Sequence, residues 1–409
     1  MVEALDFKGH IDRDELVSLV QDLVRIPSHT LYPKRECEIA DYLIKLCQKE
    51  GLECWLQPAD GERCNVIAVI RGDGTGKTLM FNGHTDTVPV EGMDAPFDPV
   101  IRDGYMYGRG STDMKGGVGA MLYAMIMLKR MGVQLKGDLY FCGVIDEDAA
   151  KSTGSRVVAQ EGPITDYAII GEPTSLYPVI AHKGIDYFQI DFNGRAAHSS
   201  RPDTGANAIY AASDYVSVIR QKINPDFGKL SHKYLGSPTV NVGLISGSAR
   251  INKAYLLGKS ETFAGVVPDQ CSVYLDVRWI PCQSVPEIQE QLNAILPEVL
   301  ERNPGVSANV SYIPLPRPAM EISEDDTLTQ TLLRNVAAVS PKTAELTGSQ
   351  GFMDSGILYG IAGIKSLVFG PGDIALAHSI GEKLKVEELF LAAEIFARTA
   401  VEICSTARI

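Results

Sequence analysis

The chain reads as an α/β protein: a mostly parallel sheet with helices on both faces forms one domain, and a smaller α+β domain is inserted into it. Short apolar runs alternate with helical patterns over the first 183 residues, as expected of a parallel sheet covered on both faces. From Gly184 the order becomes strand, helix, strand, strand, helix, strand, which is the ferredoxin-like unit, before the first pattern resumes near residue 317. At 409 residues the chain also exceeds the usual size of one compact core. The expected domains are therefore 1–183 with 317–409, and the insertion 184–316.

Two helical patterns come first. "RDELVSLVQDLVRI" ends before Pro27, and "ECEIADYLIKLCQKEG" sets Ile39, Leu43, Leu46 and Cys47 at helical spacing with Gly51 as its stop. Strand candidates follow at "CNVIAVI", "TLMFNG", "GDLYFCGVI" and "DYAIIG", with "GGVGAMLYAMIMLKRMG" a long helix between "TLMFNG" and "GDLYFCGVI". In the insertion the strands are "GIDYFQIDFNG", "PTVNVGLISG", "DQCSVYLDVRWI" and "VSANVSYIPL", and the helices are "GANAIYAASDYVSVIRQ" and "VPEIQEQLNAILPEVLER". After "PLPRP" come the helix "TLTQTLLRNVAAV", the strand "SLVFG" and a terminal helix, "VEELFLAAEIFARTAVEICS". Residues 248–265 read as an extended loop, of a length that is uncommon unless functional or mobile.

Composition narrows the function classes. A hydrophobic content of 45% supplies ample core material, and the formal charge of −13 argues against a nucleic-acid or anionic membrane partner. No run approaches the 18 or so uninterrupted apolar residues of a membrane span, and the first twenty residues lack the regions of a signal peptide. The eight cysteines include no C-x-x-C pair, so they read as scattered reduced thiols of a cytoplasmic protein.

The chemistry gathers at strand ends. In "LMFNGHTDTVPV" a buried run gives way to His84 and Asp86, which at a spacing of two share one side of an extended segment, as a metal ligand and its orienting carboxylate would. Asp113 precedes the long helix in "GRGSTDMKGG", Asp146, Glu147 and Asp148 follow the strand "LYFCGV", and Glu172 follows "DYAIIG". Each has an ordinary explanation taken singly: a turn, a helix cap, a solvated loop. Taken together they converge at one edge of a parallel sheet, where gathered anions require a cation. His378, in the Gly/Pro-rich loop after "SLVFG", adds a second imidazole. Two His and several carboxylates without thiolate suit zinc or cobalt, with manganese also compatible, and five ligands exceed what one catalytic zinc needs. A carboxylate shared between two ions gives a two-metal hydrolase.

The motifs "GHTDTVP", "GRGSTDMKGG", "DED", "GEPT", "GRAAHSSRPDTGANAI" and "GPG...AHS", in this order and spacing, resemble those of a zinc-dependent family. Its members include acetylornithine deacetylase, succinyl-diaminopimelate desuccinylase, aminoacylase and glutamate carboxypeptidase. The resemblance spans nearly the whole chain. It implies that His84, Asp113 and Glu172 bind one metal and that Asp113, Asp148 and His378 bind the other, with Asp113 bridging. It further implies Asp86 as the orienter of His84 and Glu147 as the general base, a separation of Glu147 from Asp148 that adjacency alone does not make. By the same resemblance the insertion is a lid and dimerisation domain, His198 steadies the oxyanion in a neighbouring subunit's site, and Arg278 pairs with a substrate carboxylate. Two positions depart from the family: Asp148 stands where Glu is usual, and Gly265 where an Asn helps hold substrate.

The expectation is a cytoplasmic, homodimeric two-metal amidohydrolase acting on an N-acyl amino acid. A carboxypeptidase or dipeptidase on the same scaffold, acting on a small peptide, is the nearest alternative, and a non-catalytic binding protein the more distant one.

Overall fold

The computed structural model describes residues 5–250 and 265–407, so most of the loop expected at 248–265 lies outside the described residues. The chain divides into two compact units, Met1–His182 with Met320–Ser349 and Met353–Ile409, and Lys183–Ala319 with Gln350–Phe352. Gln350, in the second unit, donates its side-chain amide to the carbonyl of Leu235 at 3.0 Å.

In the first unit the helices Arg13–Arg25 and Cys37–Lys49 bury Leu16, Leu19, Val20 and Leu23, and Ile39, Leu43 and Cys47. Asp12 caps the first by accepting from the Glu15 amide. There follow β1 (Glu53–Asp60), β2 (Arg63–Ile70), β3 (Leu79–His84), the short hairpin β4 (Ile101–Arg102) and β5 (Tyr105–Tyr107), the helix Gly116–Arg130, β6 (Leu139–Val144), β7 (Tyr167–Ile170) and β8 (Val179–His182). The second unit contributes β9 (Gly184–Asn193), β10 (Thr239–Ser248), β11 (Gln270–Trp279) and β12 (Ser307–Arg317). The first unit then resumes with β13 (Met320–Glu321), β14 (Thr347–Ser349), β15 (Lys365–Val368), β16 (Lys383–Lys385) and the terminal helix Val386–Ser405.

Its main sheet runs β1-β2-β6-β3-β7-β15-β8-β13, with β14 on β8. The central strands β6, β3, β7 and β15 are mutually parallel, β1, β2, β8 and β13 pair antiparallel along this order, and β14 joins β8 in parallel. The parallel sheet expected from sequence is thus the centre of a mixed one. The edge strand β1 escapes a periodicity reading because it is largely exposed and has no apolar run. The core is dense where the terminal helix meets the sheet, with Phe396 edge-on to Phe81 at 5.2 Å and to Phe369 at 5.4 Å. Each such buried ring contributes about 1.5–3 kcal/mol.

The second unit is a four-stranded antiparallel sheet in the order β10-β11-β9-β12, the ferredoxin-like arrangement. Buried and half-buried residues alternate strictly along β11 and nearly so along β9, as a sheet with one buried face requires. Phe188, Phe192, Val273 and Leu275 pack with Tyr215 of the helix Ala208–Val218 and with Leu292 and Val299. Among the described residues no helix is long and apolar enough to cross a membrane. All eight cysteines are free.

Candidate metal centre

The four central parallel strands all end at one edge, and each delivers a chemically active side chain there. His84 is the last residue of β3, Glu147 and Asp148 follow β6, Glu172 follows β7, and His378 lies beyond β15 in a left-handed backbone conformation (φ +58°). Gly83 lets the long helix come close behind His84, since a Cβ there would sit 2.8–2.9 Å from Met114, Met121 and Val118. Asp113 occupies the irregular turn Ser111–Lys115 that opens the same helix, with an extended backbone (φ −120°, ψ 104°).

Asp113 is the hub. Its Oδ1 lies 3.1 Å from Nε2 of His84 and its Oδ2 lies 3.1 Å from Nε2 of His378. Nε2 of His378 is also 3.0 Å from Oδ1 of Asp148, and Nε2 of His84 is 3.6 Å from Oε1 of Glu172. Two sets of donor atoms come within 4.8 Å of one another, His84 with Asp113 and Asp148, and His84 with Glu147 and Glu172. Glu147 is therefore as close to His84 and Glu172 as a ligand would be.

The electrostatics describe a site short of positive charge. Burial raises Glu172 and Glu147 far above the carboxylate range, and neighbouring acids add to this against the opposing field of His84. Burial opposes charge on His84 too, but its hydrogen bond with Asp113 and the fields of Glu172 and Asp148 win, and the imidazole is held well above its ordinary value. Hydrogen bonds with Asp113 and Asp148 lift His378 to about 10. Asp113 goes the other way: burial would raise it, but His378 and His84 hold it below the carboxylate range. Such a cluster keeps protons where a cation would otherwise sit. Oδ2 of Asp148 is buried with no hydrogen-bond partner, a cost of about 1–3 kcal/mol that a ligand bond removes. The residues thus fit divalent ions held by nitrogen and oxygen donors.

The surroundings sort the acidic triple. Asp146 is fully buried and turns to Arg63 (3.0 Å), Arg35 (3.4 Å) and the Thr153 hydroxyl (2.6 Å), so it braces the loop that carries Glu147 and Asp148. Asp86 reaches His84 mainly through its backbone carbonyl, 3.0 Å from Nδ1, with its carboxylate at 3.6 Å. Within the second unit, His198 sits on an exposed loop, and Arg278 on β11 is paired with Asp276 at 2.7 and 3.0 Å. Gly265 accepts from the Ser199 amide at 2.8 Å, and a Cβ on it would lie 2.9 Å from the Ser199 hydroxyl, which can rotate away. Sequence reasoning missed Arg63, Lys115, whose ammonium donates to the carbonyls of Leu23 and Ile26, and Glu382. Nothing in the sequence marks them: Arg63 stands beside Glu62 and Glu382 beside Lys383, as ordinary surface charges do.

A metal centre of histidines and carboxylates at the strand ends of an α/β sheet is the apparatus of a metal-dependent hydrolase. The profile of peptidase family M20/M25/M40 matches residues 80–402, and the chain belongs to that family. It is similar to the acetylornithine deacetylase of Myxococcus xanthus, at 29% identity over 86% of this chain and 87% of the relative. A probable succinyl-diaminopimelate desuccinylase of Staphylococcus epidermidis is 28% identical over 92% and 94%. Among solved structures, aminopeptidase PepT of Bacillus cereus shares the fold at a TM-score of 0.77 and 23% identity, covering 97% of this chain and 100% of that one. The protein is thus a metal-dependent amidohydrolase of this family.

Proposed function

We propose that the protein removes the acyl group from an N-acyl amino acid, using two divalent ions, most simply zinc, held by His84, Asp113 and Glu172 and by Asp113, Asp148 and His378. The observation that carries the two-ion reading is the division of Asp113, one carboxylate oxygen toward each histidine at 3.1 Å. The deacylase reading follows the chain's similarity to an acetylornithine deacetylase and a probable succinyl-diaminopimelate desuccinylase, whose names describe removal of acetyl and succinyl groups. When bound, such ions polarise an amide carbonyl and lower the pKa of water.

The chain's own groups do the rest. Glu147 takes the proton of the attacking water and hands it to the leaving nitrogen, so the products are a carboxylate and a free amine. His198 donates to the oxyanion in the site of a second copy, a role that requires a homodimer. Ser200 engages the other ring nitrogen, its amide donating to Nδ1 at 3.1 Å and its hydroxyl lying at 2.7 Å, so Nε2 is the nitrogen that turns to a substrate. Arg278 pairs with the substrate's α-carboxylate once it leaves Asp276. Eight free thiols are in keeping with a cytoplasmic location.

The test is metal content together with amine release from N-acetyl, N-succinyl and N-aminoacyl amino acids, before and after chelation and add-back. Metal-dependent hydrolysis of one acyl class supports the proposal. Hydrolysis confined to dipeptides moves the protein to the peptidase branch, and absence of bound metal overturns the reading.

A further inference from the structure

We infer that Glu382 is a positioning residue that locks Asp113 and His378 into one ligand pair, so that the Asp113, Asp148 and His378 site, with two of its three ligands on this anchor, depends on it more than the site that shares only Asp113. This rests on the two-ion reading above. Glu382 is buried four residues beyond His378, and no part of that reading uses it. One of its carboxylate oxygens accepts from the amides of both Thr112 and Asp113 at 3.0 Å, while the other pairs with Arg109, itself only 3% exposed.

The turn Ser111–Lys115 needs such a partner. Its preceding residue, Gly110, has no side chain to cap it, and the extended backbone at Asp113 takes that residue out of the helical hydrogen-bond ladder. The amides of Thr112 and Asp113 would be orphaned in a buried place without Glu382. The same stretch is stitched on both sides: the Thr112 hydroxyl donates to the Lys383 carbonyl at 2.7 Å, and the Gly108 amide donates to the Glu382 carbonyl at 3.2 Å. A single anion therefore fixes the backbone of the bridging carboxylate and anchors the end of the loop bearing His378. Glu172 and His84 stand on the ends of β7 and β3 and receive no direct contact from it.

In Glu382→Gln one oxygen still accepts, but the amide nitrogen turns a donor toward Arg109. The experiment titrates chelated protein with zinc and with cobalt, reading stoichiometry by calorimetry and coordination by the cobalt visible spectrum. Wild type takes two ions. In E382Q the ion held by Asp113, Asp148 and His378 binds about 10- to 100-fold more weakly, the range for loss of a group supporting metal ligands, and the other ion is weakened clearly less. Excess metal then restores turnover. The control is Glu394→Gln, a buried carboxylate paired with Arg398 at 2.7 Å, which lowers stability without changing either ion's affinity. Equal binding of both ions to E382Q and wild type overturns the inference, as does equal weakening of both. A wild type that binds fewer than two ions overturns the two-ion reading and this inference with it, whereas two ions in wild type and an unchanged variant overturn this inference alone. Should E382Q fail to fold, Glu382→Asp, which keeps the charge but withdraws it from the two amides, carries the same comparison.

Discussion

The carboxylate of Asp86 accepts a hydrogen bond from the backbone amide of Glu147 at 3.1 Å, and its second oxygen lies 3.4 Å from the amide of Ala149. Asp86 thus serves His84 chiefly through its main chain and the loop of Glu147 through its side chain. In Asp86→Asn the carbonyl facing His84 survives, but one loop amide meets an amide group instead of an anion. We predict that D86N retains metal at His84 and loses about 10- to 100-fold in kcat. Parallel metal analysis and steady-state kinetics check this; loss of metal with kcat per bound ion unchanged would show that Asp86 acts only on His84.

Glu147→Gln separates base from ligand, which geometry in the ion-free site does not. The prediction is a fall of about 10²- to 10⁴-fold in kcat, the range for a general base, with two ions still bound. A variant that binds one ion would make Glu147 a ligand.

Arg63 lies between Glu36, at 3.2 Å, and Asp146, at 3.0 Å, and all three are buried. Removing one partner of a buried pair leaves charge without compensation. Arg63→Met is expected to destabilise by about 3 kcal/mol in urea unfolding, with Arg35 offsetting part of the loss. Because Asp146 braces the loop of Glu147 and Asp148, kcat should fall as well, and a destabilised variant with full kcat would limit Asp146 to a structural role.

In metal-free protein His378 titrates near 10 when folded, against 6.5 ordinarily, so the folded state holds its proton the more tightly. That contribution is complete below about pH 6.5 and disappears as pH climbs to about 10. Glu172 and Glu147, raised by burial, act with the same sign, because above pH 4.5 an unfolded chain releases protons that the folded one keeps. The stability of chelated protein should therefore fall from mildly acidic to alkaline pH. Metal affinity should rise over the same range, since each ion displaces protons. Calorimetric titration in buffers of different ionisation enthalpy measures the protons released, and a pH-independent affinity would contradict the assignment of His378 as a ligand.

What could be read beforehand follows the physics of each signal. The central strands are short continuous apolar runs, and His84, the acidic triple and Glu172 stand at or just after their ends, so they could be singled out as candidates from order and spacing. Asp113 before the long helix and His378 in a Gly/Pro-rich loop added to them, and the division of roles among them came only from the resemblance to a known family. Edge strand β1 was not, because its exposed residues carry no period. Neither was the distinct work of Asp146, whose side chain leaves the site for Arg63, nor that of Glu382, which acts through backbone amides far away in sequence. A local pattern shows which residues can do chemistry, while the groups that hold them in place are chosen by the fold.

His198 offers the last test, because its proposed role lies in another copy of the chain. His198→Ala should lower kcat by about 10²- to 10³-fold with little change in metal content, as loss of an oxyanion donor does. His198→Gln, which can still donate, should recover part of that. The decisive arm mixes H198A with E147Q, each nearly inactive alone. In a mixed dimer the H198A subunit keeps Glu147 and receives His198 from its E147Q partner, so one of two sites is whole. With random exchange about half the dimers are mixed, and about a quarter of wild-type activity should return. Activity that stays at the level of the parent variants would place His198 in its own subunit's site or outside catalysis altogether, and would remove the argument for a functional dimer.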